Sequence, residues 1–91
     1  MCIGEYQPDN LNVYNLLGNI YYKRKDYDMA IEHYEKGLEY DPENARLNCN
    51  LGVVFAQTNK KKEAIEHLER ALKNNPNMPD AQAMLDFIKT H

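Results

Sequence analysis

The chain has 91 residues, of which 43% are apolar and 27% charged, with a net charge of −3; this is enough apolar content for one small folded domain and the wrong sign of charge for a protein that holds phosphate backbones. No apolar run approaches the ~18 residues of a membrane span, and no charged stretch followed by an apolar core opens the chain as a secretory signal would. Nucleic acid and membrane are therefore not expected partners.

Apolar residues recur at helical spacing with almost no period-2 alternation, so the expected class is all-α. In chain order, helices are expected near residues 11 to 24, 28 to 41, 45 to 58, 61 to 74 and 79 to 91. Asn59 is suited to the left-handed conformation that ends a helix, and Pro42 and Pro76 stop the second and fourth helices. Pro79 suits a first helical position, and Asp80 complements the positive end of the last helix. Glu32-Lys36, Glu66-Arg70 and Glu69-Lys73 stand at i,i+4 spacing on exposed faces. Cys2 and Cys49 are far apart and belong to no CxxC pattern, which favours separate thiols and a reduced, cytoplasmic setting.

The sequence repeats on itself with an offset of 34: Leu17-Gly18 falls on Leu51-Gly52, Tyr21 on Phe55, Ala30-Ile31 on Ala64-Ile65, Glu32-His33 on Glu66-His67, and Pro42 on Pro76. A glycine inside a helix costs ~1 kcal/mol against alanine, so Gly18 and Gly52 point to close helix contact, with Ala30, Gly37, Ala64 and Ala71 as the small partners on the facing helix. Tyr14, Leu17, Gly18, Tyr21, Ala30, Tyr34, Gly37 and Pro42, then Leu51, Gly52, Phe55, Ala64, Leu68, Ala71 and Pro76, resemble the signature of the tetratricopeptide repeat family. Two positions depart from it: Asn48, where a large apolar residue is usual, and Leu68, where an aromatic is usual.

The resemblance implies an α-α superhelix, right-handed, of two helix-turn-helix units (11–44 and 45–78) and a C-terminal capping helix (79–91). Residues 5–10 match 39–44 at the same offset, so 1–10 read as the remnant of a preceding repeat. In the last helix Gln82, Asp86 and Lys89 stand where a further helix would pack, which suits a cap.

Residues for chemistry are few. Serine is absent, neither cysteine has an activating base nearby in sequence, and no carboxylate pair sits in an apolar run, so no catalytic residues, no enzyme activity and no cofactor are expected. His33 and His67 hold equivalent positions on the outer helices, about one helix spacing (~10 Å) apart, too far to share a metal ion unaided; both are expected to be solvated and without structural role. Lys23-Arg24-Lys25 and Lys60-Lys61-Lys62 fall at the turn inside each unit. They are read as complementing the C-terminal end of the helix before them, with an acidic-partner site as the other reading.

The family resemblance implies a module that binds a protein or peptide in a concave groove lined by the first helix of each unit. Carried over by position, that lining is Asn12, Asn15, Asn19, Tyr22 and Lys23, then Arg46, Cys49, Asn50, Val53 and Gln57, then Asp80, Ala83, Met84 and Phe87. Asparagine amides can pair with both the donor and the acceptor of a peptide backbone. Some family members clamp a terminal carboxylate with three cations and two asparagines. Asn19 and Asn50 match those asparagines, but Asn15, Asp80 and Met84 occupy the cation positions, so a ligand of that type is not expected. Two alternatives are a regulatory role within a longer chain and self-association, most simply as a homodimer, through Val13, Leu16 and Ile20 at the apolar N-terminal end.

Overall fold

In the computed structural model, residues 12–90 are described, and within them the chain forms five helices and no strand. They are α1 (Asn12–Lys23), α2 (Tyr27–Tyr40), α3 (Ala45–Gln57), α4 (Lys61–Asn74) and α5 (Pro79–Thr90). The remnant expected at residues 1–10 lies outside the described residues. Consecutive helices pack on one another, and α3 also meets α5.

The turns inside the two units share one device. Lys25 and Asn59 both take left-handed backbone, at φ 64° and 63°, and the next amide reaches back five residues: Asp26 N–H to the Tyr21 carbonyl (2.8 Å) and Lys60 N–H to the Phe55 carbonyl (2.9 Å). This is the Schellman ending of a helix, which satisfies carbonyls that have no partner within the helix. The connection between units ends differently. Asn44 caps α3, its Oδ1 accepting from the Leu47 amide at 2.9 Å.

The core runs through Ala30, Tyr34, Leu47, Leu51, Val54, Ala64, Leu68, Ala71 and Ala81, all at most 1% exposed. α3 is its axis, with every residue from Leu47 to Phe55 buried. The glycines do permit close approach, and Gly52 meets the backbone of Ala64 as expected (3.2 Å from a Cβ to the Ala64 carbonyl), but the nearest partner of each is a large side chain. A Cβ on Gly18 would land in the ring of Tyr34, and one on Gly52 would come within 2.6 Å of Leu68 Cγ. Each glycine is a hollow for the large side chain 16 residues later, so Tyr34 and Leu68 are the same part in successive units.

Asn48 and His67 also depart from expectation. Asn48 is fully buried; its Nδ2 donates to the carbonyls of Pro42 (3.1 Å) and Asn44 (3.0 Å), and its Oδ1 lies 2.9 Å from His67 Nδ1. His67 also stacks on Phe55, with ring centroids 5.5 Å apart. His33 stacks on Tyr21 (5.1 Å) and its Nδ1 lies 2.9 Å from the Met29 carbonyl. Neither histidine is the solvated, structureless residue that its place on an outer helix suggested. Cys49 likewise differs, being disulfide-bonded rather than a separate thiol; the sequence's other cysteine, Cys2, lies outside the described residues.

Of the expected i,i+4 ion pairs, Arg70–Glu66 forms at 3.4 Å. Glu69 instead meets Lys89 of α5 at 3.1 Å, tying the last helix to α4. α5 buries Ala81, Leu85 and Ile88 and leaves Gln82, Asp86 and Lys89 exposed. At the opposite end Val13, Leu16 and Ile20 are 55%, 40% and 49% exposed. No helix among the described residues is long and apolar enough to cross a membrane.

Candidate functional site

The face formed by α1, α3 and α5 carries the residues that the sequence singled out. Asn12 opens α1, and its side chain lies outside the described residues. Asn15, Asn19, Asn50 and Val53 are present on that face but buried, at no more than 4% exposure. One amide atom of each asparagine is engaged within the fold. Asn50 Nδ2 donates to Asn15 Oδ1, joining α3 to α1, and Tyr34 Oη donates to Asn19 Oδ1, joining α2 to α1. Burial holds the Tyr34 hydroxyl in its neutral, donating form by raising its pKa, helped by the proximity of Tyr22. Asn50 Oδ1 is buried without a hydrogen-bond partner among the described residues. The asparagines therefore form a polar floor rather than free hydrogen-bonding groups at the surface.

More accessible groups surround that floor. Tyr22 and Arg46 are half-buried and Gln57 is exposed; Gln57 Nε2 donates to Tyr22 Oη across the α1–α3 edge at 3.4 Å. The Tyr22 pKa is raised, first by burial and then by Tyr27, whose ring lies 5.8 Å away; the Gln57 hydrogen bond opposes the shift. Phe87 projects from α5 at 58% exposure. Between α3 and α5 lies a cavity of about 530 Å³ lined by Ala56, Gln57, Asp80, Ala83, Met84, Phe87 and Ile88. Its walls are apolar apart from Gln57 and Asp80. Gln57, Asp80, Ala83, Met84 and Phe87 of this lining stand among the groove positions that the family resemblance implied, while Ala56 and Ile88 do not.

The lysine runs differ from each other. Lys23 ends α1, where a cation complements the helix dipole. Lys60 is the N-cap of α4, while Lys61 and Lys62 are its first two residues. Three cations thus stand at the positive end of a helix, the reverse of the favourable arrangement. No group of three or more His, Cys, Asp or Glu residues with metal-binding geometry occurs among the described residues.

Comparisons with known proteins agree with this architecture. A family model described as TPR repeat matches residues 18–59, and one described as Tetratricopeptide repeat matches 45–78. No curated protein matches the chain in sequence. Among solved structures, MamA from AMB-1 is 31% identical with a TM-score of 0.76, over 89% of this chain and 44% of that one. The C-terminal TPR-containing domain of a Plasmodium falciparum protein described as an FK506-binding protein is 29% identical with a TM-score of 0.77, over 94% of this chain and 64% of that one. The chain thus spans less than two thirds of the length of either structure.

Proposed function

Because this chain belongs to the tetratricopeptide repeat family, whose members generally serve as protein–protein interaction modules, we propose that it binds a segment of a partner protein on the face formed by α1, α3 and α5, as a scaffold or adaptor. The observation that carries this reading is the cavity between α3 and α5, open beside Phe87 and continuous with the Tyr22–Gln57 edge through Gln57. Tyr22, Arg46, Gln57 and Phe87 are the accessible contacts; Asn15, Asn19 and Asn50 hold the surface from beneath. Partner retention by Gln57→Ala and Phe87→Ala variants tests the reading, with Glu35→Lys on the outer face of α2 as control. Loss in the two variants and retention in the control is the expected outcome. Retention in all three, or loss only with Glu35→Lys, would put the binding face elsewhere.

A second reading, self-association, draws support from the exposure of Val13, Leu16 and Ile20 along one side of α1. A pair formed through that side would be most simply two-fold. Light scattering over a wide concentration range, with Ile20→Glu for comparison, separates the two readings. A mass that rises with concentration in the parent and not in the variant supports pairing.

A further inference from the structure

The cavity beside Phe87 is not isolated. A second hollow, of about 350 Å³, is lined by Asn59, Lys61, Ala56, Phe87 and Ile88, so the two adjoin at three shared residues and together make up a trough bounded by α3, α5 and the start of α4. Each hollow falls in the range of about 300–1,000 Å³ typical of small-ligand pockets, so the trough has room for a large apolar side chain. Phe87 is the exposed apolar residue at its centre, and Ala56 and Ile88 form the floor.

The two ends carry opposite charge. Asp80 lines one end and Lys61 the other. Lys61 has Lys60 and Lys62 beside it; all three are exposed, and none pairs with a carboxylate among the described residues. Lys60 Nζ instead lies 5.8 Å from the centre of the Phe55 ring. Glu63 follows in the same turn and offsets one of the three charges. The remaining excess adds to the positive end of the α4 dipole, so this end of the trough attracts carboxylates.

Resting on the reading of the α1–α3–α5 face as the binding surface, we infer that the trough is its anchoring subsite. It takes a large apolar side chain, aromatic or leucine, from a partner segment in which the next one to three residues are acidic. Extended chain advances ~3.3 Å per residue, so a carboxylate one to three residues from an anchor on Phe87 reaches the lysine end.

The test uses the whole chain and three fluorescein-labelled, C-terminally amidated peptides: Gly-Ser-Phe-Leu-Glu-Glu-Asp-Gly, the same peptide with three lysines in place of its acidic residues, and the same peptide with Ala-Ala in place of Phe-Leu. Anisotropy is expected to give saturable, salt-sensitive binding of the first and much weaker binding of the other two. Phe87→Ala should weaken binding about tenfold, as expected when an aromatic contact is lost, and Lys61→Glu about fivefold. Neither change should impair folding, since Phe87 is exposed and an acidic residue at the start of α4 suits the helix dipole. Equal binding of the acidic and basic peptides, indifference to Phe87→Ala, or no binding at millimolar protein overturns the inference. Amide shifts on titration with the first peptide keep the two readings apart. Perturbation around Tyr22 and Arg46 with none at Phe87, Ile88 and Asn59 leaves the binding face standing and rejects the trough; perturbation centred on Phe87 supports both.

Discussion

Gly52 sets two magnitudes against each other. Alanine would gain ~1 kcal/mol of helix propensity, yet its Cβ would come within 2.6 Å of Leu68 Cγ and 3.2 Å of the Ala64 carbonyl, and overpacking costs typically ~1–3 kcal/mol. Overpacking should win, because one neighbour is backbone and cannot turn aside. Gly52→Ala is therefore expected to lower stability by about 1 kcal/mol, and Gly52→Leu to unfold the chain. A denaturation midpoint for Gly52→Ala at or above the parent's would refute the close approach. The glycine was legible from the sequence because its cost recurs 34 residues from Gly18. The Asn48–His67 pair was not, since it joins residues 19 apart that meet only once α3 and α4 have packed.

His67 also makes stability depend on pH. Burial lowers its folded-state pKa, with Arg70 acting in the same direction and Glu66 and Glu63 opposing. In the unfolded chain the imidazole takes a proton near its ordinary value of ~6.5, while the folded chain resists protonation until lower pH. Between those two values the unfolded state binds more protons, so stability falls as pH drops through that window and is fully present above it. Thermal midpoints at pH 7.5 and 5.5 should differ less in a His67→Gln variant than in the parent. An equal drop in both would assign the dependence to other groups.

At the scale of the element, the two Schellman turns predict a graded response. A non-glycine residue in left-handed backbone costs roughly 1–2 kcal/mol, and asparagine tolerates it better than most. Lys25→Gly should therefore stabilise the chain by several tenths of a kcal/mol up to ~1, after the greater backbone entropy of glycine is subtracted. Asn59→Gly should give less. Chemical denaturation of both variants checks the order, and a larger gain at Asn59 would contradict it. Asn59 could be read as a helix end from residue type alone. Lys25 could not, because nothing in a lysine suggests left-handed backbone and only its place one repeat before Asn59 marks it. The Lys60–Lys62 run was assigned to the wrong helix: α4 starts at Lys61, as expected, so these lysines stand at its positive end rather than complementing the end of α3.

At the scale of the whole molecule, the 34-residue period made the all-α repeat architecture legible, because each unit reuses the same glycine hollow and turn and similar helix lengths. The proposed binding face was legible only in outline. Helix position identified which helices line it, but not that Asn15, Asn19 and Asn50 turn their amides toward one another and toward Tyr34, which depends on side-chain pairing across three helices. The trough was legible as a set of positions, Gln57, Asp80, Ala83, Met84 and Phe87, but not as a cavity, because its depth depends on how the side chains of α5 pack against α3.

The measurement that bears most directly on this account is hydrogen–deuterium exchange of the chain alone and with its captured partner. The account predicts that slowed exchange on binding clusters on α1, α3 and α5, reaching Tyr22, Gln57 and Phe87, while the outer faces of α2 and α4 exchange as in the free chain. Protection centred on α2 and α4, with α5 unchanged, would contradict it.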